Sequence, residues 1–317
     1  MSKKFMLIGE PMGLFIAQEV NPLERVNHFT SSIAGAELNV AIGLTRLGHS
    51  VSYLTKLGTD PFGKKIADRM KEIGIDTSLV TYSETHKTGF MLKSKVATGD
   101  PDIYYFRKDS AASTIRKEDI DRIDFTQYGF LHMTGITPAL SQSTFEASLS
   151  IMQKARVHGL TISFDPNLRP QLWADRDTMT AKLNELAQMA DYVLPGCKEG
   201  EILTGSAKPE EIADYYLRRG AKAVVVKTGK NGAYAASKDR SFSLPTYPAK
   251  EIVDTVGAGD GFACGVISAL AEGCSLEEAV DRGNAIGTIQ VMNASDNEGL
   301  PTREQLEKFM NENQPQY

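Results

Sequence analysis

Scarcity narrows the field before any motif is read. The 317 residues include three cysteines, Cys197, Cys264 and Cys274, an odd number at unrelated spacings. They support neither a disulfide framework nor a CxxC metal site, and they point to a reducing compartment, the cytoplasm. The five histidines, His28, His49, His86, His132 and His158, stand far apart without an HExxH or His-x-Glu pattern. Each reads as a packing or surface residue rather than a ligand. A basic excess is also missing: 35 Lys and Arg against 40 Asp and Glu leave a net charge of −5, which disfavours nucleic acid and anionic membranes as partners. No run of ~18 apolar residues exists to span a membrane. The apolar run from Phe5 to Ile8 is too short for a signal-peptide core and reads as a first strand. Without a Gly-x-Ser-x-Gly elbow, the most direct hydrolase assignment falls away. Internal repeats and low-complexity segments are absent, and Gly and Pro are near average usage.

What is present alternates. Beyond about residue 150, the short β-rich runs at 160–164, 191–194 and 223–226 are separated by stretches of helical period at 176–190 and 209–219. Strand, helix, strand repeated in this way predicts a parallel α/β sheet covered on both faces. Earlier, residues 36–47 read as an amphipathic helix. Residues 88–96 and 103–107 read as a hairpin, with Ala97-Thr-Gly-Asp-Pro101 as its loop. A β-hairpin inserted in an α/β core is expected to serve as a lid, and the polar tail at 311–317 is expected to fray.

Two phosphate-binding patterns fail. Gly58-Thr-Asp-Pro-Phe-Gly63-Lys64-Lys65 nearly spells a Walker A loop, but Lys65 stands where Ser or Thr must hold Mg²⁺, so the segment reads as a turn feeding an amphipathic helix. Gly257-Ala-Gly259-Asp-Gly-Phe262 lacks the third small residue of a dinucleotide fingerprint. The same stretch is informative in another way. In Asp254-Thr-Val-Gly-Ala-Gly-Asp260-Gly-Phe-Ala-Cys-Gly265, three small residues precede a helical run, so the backbone amides of Gly257, Ala258 and Gly259 can turn toward one anion. Asp260 follows, as a helix cap or as a general base that takes a hydroxyl proton. Over 200 residues upstream, Ala34-Gly35-Ala-Glu-Leu-Asn39-Val-Ala41 places Gly35 and Asn39 one helical turn apart, able to address one polar ligand.

These two stretches resemble the second and first signatures of the PfkB, or ribokinase-like, carbohydrate kinases, Asp-Thr-x-Gly-Ala-Gly-Asp-x-Phe and Gly-Gly-x-x-x-Asn-x-Ala. The second matches at every fixed position; in the first, Ala34 replaces a glycine. The resemblance covers the whole chain. It implies one sugar kinase domain, 1–317, with a mostly parallel sheet flanked by helices and lid segments at about 12–33 and 88–112. It further implies that Asp260 is the catalytic base, that Gly257, Ala258 and Gly259 form the anion hole, and that Gly35 and Asn39 bind sugar hydroxyls. Glu199, in Pro195-Gly196-Cys-Lys-Glu199, is implied to order the water shell of Mg²⁺, with Gly196 in place of an asparagine. Lys227, Thr228, Gly229, Gly232 and Asn284 are implied to bind ATP together with the anion hole. Asp254 and Thr255 are candidates for a monovalent cation, K⁺, and lids of this family often pair between subunits, so a homo-oligomer is expected.

For the acceptor, Tyr104-Tyr105-Phe-Arg107 and Ser110-Ala-Ala-Ser113 resemble the lid pattern of 2-keto-3-deoxygluconate kinases, and Arg169 closes Asp165-Pro-Asn-Leu-Arg169. In those relatives both arginines approach the sugar acid carboxylate, so Tyr105, Arg107 and Arg169 are expected to bind substrate. Thr88-Gly89-Phe90-Met91 departs from the tyrosine usual after this Thr-Gly. Fructokinase is the second expectation; a sugar or nucleotide sensor without turnover is a third, of another class.

Overall fold

A computed structural model describes residues 4–97, 101–293 and 295–315. The loop expected around 97–101 falls largely on 98–100 and the expected tail ends on 316–317; these positions lie outside the described residues. The chain opens with β1 (Lys4–Ile8), β2 (Met12–Ala17), β3 (Phe29–Ala34), α1 (Ala36–Arg46), β4 (Val51–Gly58) and α2 (Pro61–Ile73). It continues with β5 (Val80–Ser83), β6 (Phe90–Lys93), β7 (Ile103–Phe106), α3 (Lys117–Asp121) and β8 (Tyr128–Thr134). Regular alternation follows: α4 (Gln142–Val157), β9 (Thr161–Asp165), α5 (Arg176–Ala187), β10 (Tyr192–Val193), α6 (Cys197–Thr204), α7 (Pro209–Leu217) and β11 (Ala223–Lys227). The last elements are β12 (Ala233–Ser237), β13 (Ser241–Leu244), α8 (Ala258–Ala271), α9 (Leu276–Val291) and α10 (Arg303–Glu312). The near-Walker segment is the expected turn. Asp60 accepts from the N–H groups of Phe62 at 3.1 Å and Gly63 at 3.0 Å, and Pro61 occupies the first helical position of α2, where its missing N–H costs nothing.

The large sheet has nine strands in the order β13-β12-β11-β10-β9-β8-β1-β4-β5. From β11 to β5 all pairs are parallel, and β12 and β13 add an antiparallel hairpin at one edge. Strand residues alternate between two cores. Phe5 and Leu7 pack with α1, α2, α8, α9 and α10, whereas Met6 and Ile8 pack with α3 to α7 on the other face. Coverage of both faces explains why these strands read as unbroken apolar runs. The chain steps outward from β1 to β4 on one side and from β8 to β9 on the other, so the order reverses between β1 and β8. Open α/β sheets bind ligands beyond the carboxyl ends of their strands at such a reversal.

Two glycines carry the helix pair beside this point. A Cβ on Gly265 would lie 2.7 Å from the Arg282 carbonyl oxygen and the Gly283 Cα, so only glycine lets α8 and α9 approach this closely. Gly257, at φ +81°, bends the chain into α8, and a Cβ there would fall 2.5 Å from the Asp296 carbonyl oxygen.

A second sheet of four strands, β3-β2-β6-β7, combines antiparallel outer pairs with a parallel centre. Its inner face buries Met12, Leu14 and Met91, with Ile103 and Tyr105 against them. Its outer face carries Phe15, Phe90 and Phe106. Phe90 stacks on Phe106 at 4.6 Å and on Phe62 of α2 at 6.0 Å. Tyr104 and Phe106 remain 58% and 52% exposed.

Candidate active site

At the carboxyl ends of the central strands, several buried apolar runs close on a charged or polar group: Glu10 after β1, Thr134 on β8, Asp165 on β9 and Lys227 on β11. Of these, Glu10 and Lys227, together with the start of α8 and the inner face of the small sheet, line a cavity of about 300 Å³. That size suits a small polar molecule. The expected Gly35, Asn39, Tyr105, Arg107, Arg169, Glu199, Lys227, Gly257, Gly259 and Asp260 all line it.

Asp260 is buried in the first turn of α8. Asn39 donates to its Oδ2 at 2.8 Å and Asn167 to its Oδ1 at 3.3 Å. Burial pushes its carboxyl up to about 7 and Asp165 adds to the rise, against the Asn39 hydrogen bond and the charges of Arg169 and Lys227. A carboxyl balanced near neutrality can accept a proton and release it again. Of the amides expected in the anion hole, that of Ala258 donates to the Thr255 carbonyl at 3.3 Å, closing the turn into α8.

Lys227 donates to Asp165 Oδ2 at 2.6 Å. Burial disfavours its charge, but Asp165, Glu199 and Asp260 outweigh that and raise its pKa, so it stays an ammonium. Glu199 stands at the start of α6, one oxygen accepting from the Leu168 N–H at 2.9 Å and the other from the Gly196 N–H at 2.7 Å. It thereby fixes the turn that carries Asn167 and Arg169. Arg169 donates to the carbonyl of Leu168 at 2.9 Å, and among the described residues no carboxylate pairs with it.

Arg107 differs. It reaches from the small sheet to buried Glu10, donating through Nε to Oε2 at 2.6 Å, and the Ser110 hydroxyl donates to the other Glu10 oxygen. Its Nη2 lies 2.5 Å from Oε2 yet meets no acceptor in hydrogen-bonding geometry, which leaves donors on a residue that faces the cavity. The expectation that two arginines meet a ligand carboxylate thus has one arginine already paired. Beneath them Glu37 is buried, which pushes its carboxyl up, while the Thr134 hydroxyl at 2.6 Å and that of Thr137 at 3.0 Å oppose the rise.

Other expected residues lie apart from the cavity. Thr228, Gly229 and Gly232 form the turn between β11 and β12, where Thr228 N–H donates to the Gly232 carbonyl at 2.9 Å. Asn284 is buried on α9, and its amide donates to the carbonyls of Leu244 and Pro245. Asp254, expected beside a monovalent cation together with Thr255, is ion-paired with Lys93. Glu10, Glu37, Asp165, Asn167, Lys93 and Asp296 were not anticipated. A signal existed for two of them: Glu10 and Asp165 each stand at the end of a buried apolar run, where a charge has no packing purpose. The others are visible only in three dimensions.

Comparisons with known proteins find relatives over nearly the whole chain. The profile described as "pfkB family carbohydrate kinase" matches residues 2–303. A 2-dehydro-3-deoxygluconokinase of Bacillus subtilis (strain 168) is 48% identical over 303 residues, covering 95% of this chain and 94% of that protein. The crystal structure of a PfkB protein from Polaromonas sp. JS666 is 45% identical and superposes with a TM-score of 0.87 over 96% of this chain and 99% of that one. A putative ribokinase II from E. coli in complex with ATP and Mg²⁺ is 25% identical, with a TM-score of 0.90 over 98% and 99% of the two chains.

Because both Glu199 oxygens hold main-chain amides, Glu199→Gln turns its own NH₂ against one of them. It is expected to lose about 1–3 kcal/mol of stability in denaturant unfolding, with neither divalent cation nor nucleotide added. Unchanged stability would show that Glu199 acts on ligands alone.

Proposed function

The chain belongs to the pfkB family of carbohydrate kinases, and on that premise we propose that it moves the terminal phosphoryl group of ATP to the terminal hydroxyl of 2-keto-3-deoxygluconate, giving the 6-phosphate. The observation that carries the reaction is Asp260, buried, near neutrality and at the amino end of α8. Its carboxylate takes the proton of the attacking hydroxyl. The amides of Gly257 and Gly259, with Ala258 between them, and the positive end of α8 hold the charge that spreads over the transferred group. Lys227 adds a fixed cation beside Gly259, whose Cβ would lie 3.8 Å from its Nζ.

Among the described residues no group of three or more His, Cys, Asp or Glu is arranged to cage a metal. A single carboxylate, Glu199, fits Mg²⁺ that arrives on phosphates and keeps most of its waters. When bound, that ion would neutralise phosphate charge, with Glu199 holding it through water. ATP would extend from the anion hole toward Thr228, Gly229, Gly232 and Asn284. The small sheet would act as a lid over the sugar, excluding water that would otherwise compete for ATP. The cytoplasm supplies ATP and is the expected place of work; no described helix is long and apolar enough to cross a membrane.

The acid substrate rests on similarity to the B. subtilis kinase and on Arg169. An arginine with no carboxylate partner beside the base suits a ligand that brings one. Arg107, oriented by Glu10, would add neutral-pair donors, while Gly35 and Asn39 would meet hydroxyls. A panel of 2-keto-3-deoxygluconate, fructose, ribose and gluconate at fixed ATP tests this. The keto acid is expected to give the highest kcat/KM. Arg169→Met is expected to lower it about 10- to 150-fold for the keto acid and little for fructose. Preference for fructose, or an equal loss on both sugars, would transfer the assignment to a fructokinase. Failure to turn over any sugar would favour a sensor.

Asp260→Asn is expected to lower kcat by at least ~10²-fold with nucleotide affinity largely kept. With Asp260 protonated below about 7, kcat/KM of the wild type should climb about tenfold per pH unit and level off above that value. Retention of more than about a tenth of kcat contradicts the base; a limb centred near pH 4 contradicts the raised carboxyl.

A second copy of the chain is the occupant we assign to the outer lid face, where Tyr104 and Phe106 stand exposed beside Phe90. Sedimentation should then show a dimer for the wild type and a monomer for Phe106→Glu; a monomeric wild type would overturn the pairing.

A further inference from the structure

The signature resemblance brings with it a monovalent cation beside Asp254 and Thr255, and the residues present do not fit one. Lys93, the last residue of β6, points inward from the small sheet with its side chain 4% exposed. Its ammonium lies 2.5 Å from Asp254 Oδ2 and 2.8 Å from Asp296 Oδ1, and those side chains are 9% and 3% exposed. A potassium ion brought to these carboxylates would have to displace a buried ammonium or sit against it, and two like charges at such range in a dry site repel strongly.

The two acids are also the walls of the turn that makes the anion hole. Asp254 Oδ1 accepts from the Val256 N–H at 3.0 Å, one residue before Gly257, and the Asp254 N–H donates to the Val291 carbonyl at 3.2 Å. On the other side, the Asp296 carbonyl oxygen stands where a Gly257 Cβ would clash. The ammonium therefore joins three segments far apart in sequence: the lid strand, the loop into α8 and the loop after α9.

We propose that Lys93 is a positioning residue whose ammonium takes the place of a monovalent cation between Asp254 and Asp296, so that turnover does not depend on potassium and the anion hole is held in shape by the lid. A bound ion would leave those loops independent of β6. A lysine makes them dependent on it: if β6 moves outward, Asp254 and Asp296 lose their shared countercharge and the turn at Gly257 loses its brace. This rests on the kinase assignment, and the assay uses whichever sugar the wild type turns over best, so that an error in substrate does not affect it.

In potassium chloride against tetramethylammonium chloride at equal ionic strength, wild-type kcat is expected to agree within about twofold, whereas Lys93→Met in tetramethylammonium should lose at least about tenfold in kcat with a smaller change in sugar KM. Potassium should restore at least about fivefold to the variant. A second readout needs no substrate: potassium should raise the melting temperature of Lys93→Met by about 2 °C or more and leave that of the wild type unchanged, because only the variant has a seat for the ion. Strong potassium activation of the wild type overturns the proposal even if the variant does not fold. So does a variant that is fully active without potassium, or one that potassium neither restores nor stabilises.

Discussion

The rest of the site depends on one constraint: carboxylates must be kept out of water without all being neutralised. Charges moved into a dry interior survive only when paired or hydrogen-bonded. At the cavity and in the layer behind it, Glu10 is matched by Arg107, Asp165 by Lys227, and Asp254 with Asp296 by Lys93. Asp260 is left without an ion-pair partner of its own. It has two amide donors and more distant cations, and burial lifts it to about 7; Glu37, held by the Thr134 and Thr137 hydroxyls, is raised by burial as well. In the proposed mechanism the ion pairs quiet the surrounding charges, and Asp260 is the group that exchanges a proton.

That arrangement needs a rigid frame, since the residues that meet come from positions as distant as Asn39 and Asp260. The parallel sheet supplies it. Strands buried on both faces cannot slip register without turning apolar side chains out of one core into the other, so the positions at their carboxyl ends are fixed relative to one another. The close approach of α8 and α9 at Gly265 fixes Asp260 against the same frame. Arg107 and Lys93 reach the site from the small sheet, whose inner core is only a handful of side chains.

How much of this could be read from the chain follows from what kind of signal each feature leaves. Alternating apolar runs announced the parallel sheet, and α1 and α7 begin where periodicity and Pro209 with its glutamates placed them. The glycine turn before Asp260 was legible because small residues before a helix have few other uses. Ion pairs such as Lys93 with Asp254 leave no local pattern, since their partners lie 161 residues apart and each alone resembles an ordinary surface charge. Arg107 shows the opposite failure. Its identity suggested a free donor, but a buried guanidinium needs a countercharge, and Glu10 supplies it from the end of β1.

Asp260 also links the chemistry to the fold's own stability, and the sign can be worked out. Its folded pKa stands above the ordinary value of 3.8, so between pH 4 and pH 7 the folded state binds a proton more tightly than the unfolded chain. Its contribution is therefore least unfavourable below pH 4, worsens as the pH rises through that window and is constant above about 7. The pH range in which the carboxylate can act as a base is the range in which its burial opposes folding most. Relief comes from the groups that hold the anion, namely Asn39, Arg169 and Lys227. Each of those faces the cavity, so a bound ligand that engages Arg169 or Lys227 competes for the same charges. In the proposed mechanism, substrate binding and the basicity of Asp260 would thereby be coupled: an acid that draws the charge of Arg169 to itself would raise the affinity of Asp260 for the proton it is to receive.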